Sequence, residues 1–300
     1  MTREEFLREK KKEKIENYHK KHAAFYTNPS TARIEPFKIA DRLYYVGDKY
    51  VCIHLIDTGA GLVLLDSGYL GAEHLLIDSI WRAGFDPKDV CWIIHSHGHS
   101  DHFGASSEFK NMFGTKLAIS RVDGEMLRNK SEDAAIPKTH YPDAKVPTFD
   151  RELEDGEIWQ IGDIKFRFVL TPGHTAGVLS IFFEVTEGGK TYLAGMYGGA
   201  GVNAISLPYT ACNEWDHACA RDFLESIDKI WDEPVVIHLG NHPYNNKTLE
   251  KREEQLLHGG NPFVAPESWH DFLTDLKGKV QKVMAANEKL EQEMKDLGIK

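Results

Sequence analysis

Eight consecutive residues hold most of the chemistry this chain could perform. His95-Ser96-His97-Gly98-His99-Ser100-Asp101-His102 places four imidazoles and a carboxylate directly after the apolar run from Val90 to Ile94. Imidazole nitrogens and carboxylate oxygens are the donors zinc takes at about 2.0–2.2 Å, and iron or manganese accepts the same set. Where a strand feeds a short loop, residues two apart share a side, so His97 and His99 converge on one ion. Asp101 and His102 follow where the chain turns and point at a second. An artificial histidine tag would be terminal and would lack the interleaved Asp behind a buried strand.

Two further segments supply imidazoles. Thr171-Pro172-Gly173-His174-Thr175-Ala176-Gly177 follows the strand expected at Ile164–Leu170, and its Pro-Gly pair forces a turn that throws His174 out at a strand end. His174 is the third imidazole that a His97/His99 site lacks. Val235–Pro243 offers His238 within an expected strand and His242 beyond it. Ligands gather at strand ends, so His242 completes the Asp101/His102 set and His238 is a buried, hydrogen-bonded strand residue.

The elements that must position these groups read as an α/β chain. Short apolar runs at Leu43–Val46, Tyr50–Ile56, Leu62–Leu65 and Val90–Ile94 are strands, with a helix over 71–83. A helix begins near Asp101, a strand follows at Lys116–Ile119, and the polar segment 121–149, with Pro137, Pro142 and Pro147, is an insertion over one face. Strands resume at Glu157–Ile161, Ile164–Leu170, Val178–Val185 and Thr191–Ala194, then comes a Gly-rich loop from Gly195 to Gly201 and an irregular stretch to Asn213. Trp215–Trp231 is a helix, Val235–His238 a strand, and 266–297 one long amphipathic helix. Both halves run strands then helix, which suits two sheets packed face to face with helices outside. Residues 1–32 form a charged N-terminal helical arm, either a solvated helix with one docked face or the arm of a homodimer, and 33–300 form one domain.

Composition narrows the partners. With 36 basic and 46 acidic residues the net charge is −10, and no basic stripe interleaved with aromatics appears, so no nucleic acid is expected. The charged start of the chain has no apolar core, which reads as neither a signal peptide nor a membrane span and places the protein in the cytoplasm. Cys52, Cys91, Cys212 and Cys219 form no CxxC pair and are expected as reduced thiols. Cys212 and Cys219 share one segment and could bridge or ligate, with a structural role the simpler reading.

At this point the chain resembles the metallo-β-lactamase superfamily. The motif His97-x-His99-x-Asp101-His102, Asp66 in Leu64-Leu65-Asp66-Ser67-Gly68, the TPGHTxG element at His174 and the late His242 stand in the family's order between about residues 37 and 265. The resemblance implies a four-layer αββα sandwich, with His97, His99 and His174 on one zinc and Asp101, His102 and His242 on the other. Asp66 would then support the metal loop from behind. Where the glyoxalase II, lactonase and phosphodiesterase branches carry a metal-bridging Asp after the strand ending Leu193-Ala194-Gly195, this sequence has Met196, a poor donor to hard ions. The pattern is similar to the third subclass of metallo-β-lactamases, which also lacks that carboxylate and has a comparable tail. Those enzymes are exported, whereas this sequence carries no export signal, so the resemblance extends to hydrolysis more than to a lactam as physiological substrate.

The expected activity is therefore that of a dinuclear zinc hydrolase opening a lactam, lactone or related amide or ester with a metal-held hydroxide. Asp101 would orient the nucleophile or pass a proton. The substrate is a small molecule, and Tyr197, Asn203 and Tyr209, on the loop after Gly195, are candidate contacts. An iron-containing redox or oxygen-handling enzyme with the same ligands, or a non-catalytic metal-binding protein, are the competing readings.

Overall fold

The structure is a computed structural model and describes residues 1–12, 27–138, 140–213 (the backbone alone at 211–213) and 219–299. Seven strands form the first sheet in the order β1 (Phe37–Ala40), β2 (Leu43–Tyr45), β3 (His54–Asp57), β4 (Leu62–Leu65), β5 (Val90–Ile94), β6 (Lys116–Ser120) and β7 (Arg151–Leu153). β1 to β4 pair antiparallel, and β4 to β7 pair parallel. The second sheet runs β12 (Val235–Leu239), β11 (Lys190–Met196), β10 (Leu179–Glu187), β9 (Ile164–Leu170) and β8 (Ile158–Ile161), with β11 and β12 parallel and the rest antiparallel.

Alternation along the strands assigns the layers, because successive side chains leave opposite faces of a sheet. Val63, Leu65, Ile94 and Ala118 point inward against Phe166, Phe168, Ile181, Phe183, Ile237 and Leu239 of the other sheet. Their neighbours Leu64, Ile93 and Leu117 point outward onto Leu76 and Ile80 of α2 (Glu73–Arg82) and Phe109 of α3 (Ser106–Phe113). On the far side Val169, Phe182 and Val235 meet Phe223 and Ile227 of α6 (Ala220–Lys229) and Trp269, Leu273 and Leu276 of α9 (Glu267–Asp296). The result is the four-layer αββα sandwich, in which each buried Leu, Ile or Phe contributes roughly 1.5–3 kcal/mol.

Strand direction puts the loops of interest together. β4, β5 and β6 run parallel to one another, and so do β9, β11 and β12, so all six release their C-terminal loops at one edge of the sandwich. Asp66, the His95–His102 loop, the turn at His174 and the turn at His242 all leave from that edge.

Several elements differ from expectation. The strand expected from Tyr50 begins only at His54, because the Asp48 carboxylate accepts the Tyr50 and Val51 amides (2.7 and 2.9 Å) and holds a turn there. The helix expected near Asp101 begins at Ser106, since residues 101–105 are turns that carry ligands. The segment 121–149 is not a simple insertion: it opens with α4 (Arg121–Asn129), whose first turn is buried against the ligand loops. The stretch before Asn213 holds α5 (Leu207–Asn213), and α7 (Pro243–Asn246) and α8 (Thr248–His258) follow β12. The helix start expected at Trp215 lies outside the described residues.

Within the N-terminal arm, residues 3–12 are helical (α1), and residues 13–26 lie outside the described residues. Phe6 and Leu7 are buried against Met294, Leu290 and Leu207, and Arg3 pairs with Glu291 at 2.6 Å, so this face docks on the chain's own C-terminal helix. Cys52, Cys91 and Cys219 are free thiols, and the Cys212 side chain lies outside the described residues. No helix among the described residues is long and apolar enough to cross a membrane.

Candidate metal centre

Of the four histidines after β5, the first is a brace. His95 is fully buried, its Nδ1–H donates to the Ala118 carbonyl (2.7 Å), and its Nε2 accepts from Ser106 Oγ (2.7 Å), which also meets Ser67 Oγ (2.8 Å). Those bonds pin the start of the loop to β6 and α3. The next three imidazoles face the edge. The ligand atoms of His97, His99 and His174 lie within 4.8 Å of one another, as do those of His97, Asp101 and His102. Asp101 Oδ2 stands 3.6 Å from His102 Nε2 and 3.7 Å from His242 Nε2. His97 is common to both groups, with ring centres 4.8 Å from His99, 4.7 Å from His174 and 4.2 Å from His102.

The tautomers follow from what the outer nitrogens touch. His97 Nδ1 meets the Gly198 carbonyl (2.8 Å), His174 Nδ1 the Gly201 carbonyl (2.6 Å), and His242 Nδ1 the Tyr50 carbonyl (2.6 Å). A carbonyl can only accept, so each Nδ1 carries the proton and each Nε2 keeps its lone pair toward the site. His102 Nδ1 is held at 2.7 Å by Asp66 Oδ2 in the same way. Asp66 is fully buried, accepts Ser96 N (2.7 Å) and Ser96 Oγ (2.8 Å) as well, and sits at φ +63°, a strained conformation that aims its carboxylate.

The donors fit a divalent ion. His97 Nε2 and His102 Nε2 are buried without a hydrogen-bond partner, an arrangement costing about 1–3 kcal/mol per atom unless something takes the lone pair. Protonation states agree at His97, His174, His242 and Asp101. Burial holds His97 well below its ordinary pKa, aided by His102, His174 and His99, and burial brings His174 down to about 4. Burial likewise lowers His242. Burial alone would lower His102 and raise Asp101, but the carboxylates beside the first and the imidazoles beside the second outweigh it in each case. His97, His174 and His242 as neutral imidazoles and Asp101 as a carboxylate are in the forms that bind metal, whereas His102, its pKa raised by Asp101 and Asp66, must give up its proton to bind an ion.

The family profile described as the metallo-beta-lactamase superfamily matches residues 46–192, the stretch from just after β2 into β11. Over that stretch the chain is similar to the metallo-beta-lactamase superfamily. Among similar solved structures are BJP-1, a subclass B3 metallo-beta-lactamase of Bradyrhizobium japonicum (26% identity, 88% of this chain and 98% of that one, TM-score 0.76), and the native FEZ-1 metallo-beta-lactamase from Legionella gormanii (26%, 86% and 98%, TM-score 0.75). Among curated relatives, an N-acyl homoserine lactonase of Bacillus thuringiensis is 25% identical over 169 residues, 48% of this chain. The chain spans only 62% of that lactonase's length.

Against this superfamily background the remaining expectations sort clearly. His238 is buried, with Nδ1 3.2 Å from Ser268 Oγ, as a strand histidine should be. Met196 is buried in the core between the sheets. Tyr197 must be corrected as a substrate contact: it is 1% exposed, its ring stacks on Phe223 (6.1 Å, 3°) and edges Phe272, and it belongs to the core under α6 and α9. Tyr209 is half-buried with the Lys11 ammonium 5.2 Å above its ring. Asn203 is exposed, and its carbonyl accepts Ser206 N and Oγ, a turn-forming role.

The groups that sequence reasoning missed are backbone carbonyls. The Gly-rich loop presses on the imidazoles: a Cβ on Gly201 would meet His174 Cε1 at 2.7 Å, and the Gly198 carbonyl takes both His97 Nδ1 and Asn241 Nδ2 (2.7 Å). The glycine run was visible, but its use as a set of acceptors has no side-chain signature.

Proposed function

We propose that the chain is a metal-dependent hydrolase that opens a lactam, lactone or related amide or ester bond of a small molecule at a two-zinc site. The observation carrying this reading is the pair of converging donor sets, His97/His99/His174 and Asp101/His102/His242, with the outer nitrogens of His97, His174 and His242 tied back to carbonyls and that of His102 to Asp66. Bound zinc would supply Lewis acidity to the scissile carbonyl and bring the ionisation of water near neutral pH.

The chain's own groups do the rest. Asp101, ionised and 26% exposed, is the carboxylate positioned to take a proton from the attacking water and hand it to the leaving group. Gly198, Gly201 and Tyr50 hold the imidazole rings against rotation, which fixes the geometry before substrate arrives. Tyr244, exposed and stacked on His242 (5.3 Å, 9°), offers an apolar wall beside the second donor set for a ring or acyl group. The relatives support the class of bond: BJP-1 and FEZ-1 are metallo-beta-lactamases and the Bacillus protein is a lactonase. The net charge of −10 weighs against polyanionic substrates.

The test is a panel of chromogenic lactams, lactones, thioesters and phosphodiesters offered to zinc-replete protein. Turnover of at least one lactam, lactone or ester is expected, abolished by a chelator and restored by zinc. Turnover confined to phosphodiesters, or activity that returns with iron and oxygen but not with zinc, would overturn the proposal.

A further inference from the structure

Asp123, in the first turn of α4, is fully buried, and all its hydrogen-bond partners are uncharged. Oδ2 accepts from the Gly98 amide (2.7 Å) and from Thr175 Oγ1 (2.7 Å), and Oδ1 accepts from the Gly177 amide (2.8 Å). Ser120 Oγ caps the helix by accepting the Asp123 amide (3.1 Å), so the residue's backbone is fixed as well. Burial pushes its pKa up to about 6 while the three donors pull it back. Burying a carboxylate is costly even after relaxation, and an apolar residue would fill the same space.

What the carboxylate joins explains its presence. Gly98 lies between His97 and His99, and Thr175 follows His174, so one side chain is bonded to both loops that supply the first donor set. The packing is as close as the bonding. A Cβ on Gly177 would meet Asp123 Oδ1 at 2.4 Å, and one on Gly98 would meet Met126 Cε and Leu127 Cδ1 of α4 at 3.0 and 3.1 Å. We infer that Asp123 is a positioning residue that locks the His97–His99 loop to the His174 loop, so that three imidazoles from sequence-distant segments form a preset metal site. The inference rests on the metal-site reading above and adds a residue that touches no ligand atom.

Asp123→Asn tests it with little change of shape. Both carboxylate oxygens accept hydrogen bonds, so the amide NH2 must face at least one donor whichever way it turns. Zinc affinity, read by chelator competition, is expected to fall about 10–100-fold for one ion, the usual effect of losing a supporting partner. The visible spectrum of the cobalt-substituted variant should shift as its donor geometry changes. Leu276→Ala, in the core under α9 and away from the site, is the folding control: it should lower the Tm while leaving zinc affinity and the cobalt spectrum at wild-type values. Should Asp123→Asn fail to fold, Thr175→Val removes one of the three donors and should weaken one ion several-fold. Wild-type affinity and spectrum in the folded Asp123→Asn protein, or in Thr175→Val where that variant is needed, overturn the inference. Absence of zinc binding in the wild-type protein would instead overturn the metal-site reading itself.

Discussion

Asp101→Asn is expected to lower turnover about 10²–10⁴-fold, the range associated with losing a positioned proton carrier, while the protein stays folded. The side chain keeps its shape, is 26% exposed, and is not part of the hydrophobic core, so little packing is lost. What changes is charge. The carboxylate stands 3.6 Å from His102 Nε2 and 3.7 Å from His242 Nε2, and a neutral amide there can neither take a proton nor balance a divalent ion. The check pairs a thermal melt with kcat on whichever substrate the panel identifies. Near-wild-type kcat in a folded variant would remove Asp101 from the mechanism.

The second large effect is expected from His97→Ala. His97 Nε2 is buried, lacks a hydrogen-bond partner, belongs to the first donor set and lies within 4.8 Å of the Asp101 and His102 ligand atoms, so its loss should remove one ion and disturb the other. Metal content after dialysis should fall below that of His242→Ala, because no such proximity to the other set's ligand atoms is seen for His242. Turnover should fall by more than the about 10–100-fold that loss of a supporting residue costs. Binding energy for a ligand of the folded state adds to its stability, so the rise in Tm that zinc gives the wild-type protein should largely vanish. Retention of wild-type zinc content in the variant would contradict the placement of His97 between the two sets.

How much of this could be read from the sequence depends on how local each signal is. His97, His99, Asp101 and His102 lie within six residues, and strand-then-loop geometry alone suffices to bring them together. His174 was legible because Pro172-Gly173 forces a turn after β9, and His242 because it follows β12 at the edge where the other loops emerge. Asp66 came only with the family resemblance: its bonds to Ser96 and His102 span 30 and 36 residues and leave no local pattern.

The failures have the same root. Asp123 sits in a polar stretch that reads as a solvated insertion, since an Asp is ordinarily exposed, and only three long-range donors show otherwise. Tyr197 follows a strand end and precedes two glycines, which looks like a loop aromatic, yet Phe223 and Phe272 arrive from distant helices to bury it. β1 and β7 are four and three residues long, too short to carry a period, and they form only because a neighbouring strand is there to pair with.

The central claim is a site for two ions, and elemental analysis of the protein, loaded with zinc and dialysed against metal-free buffer, tests it most directly. Two complete donor sets predict two zinc ions per chain. A stable content of one ion per chain, unchanged when more zinc is supplied, would contradict the account.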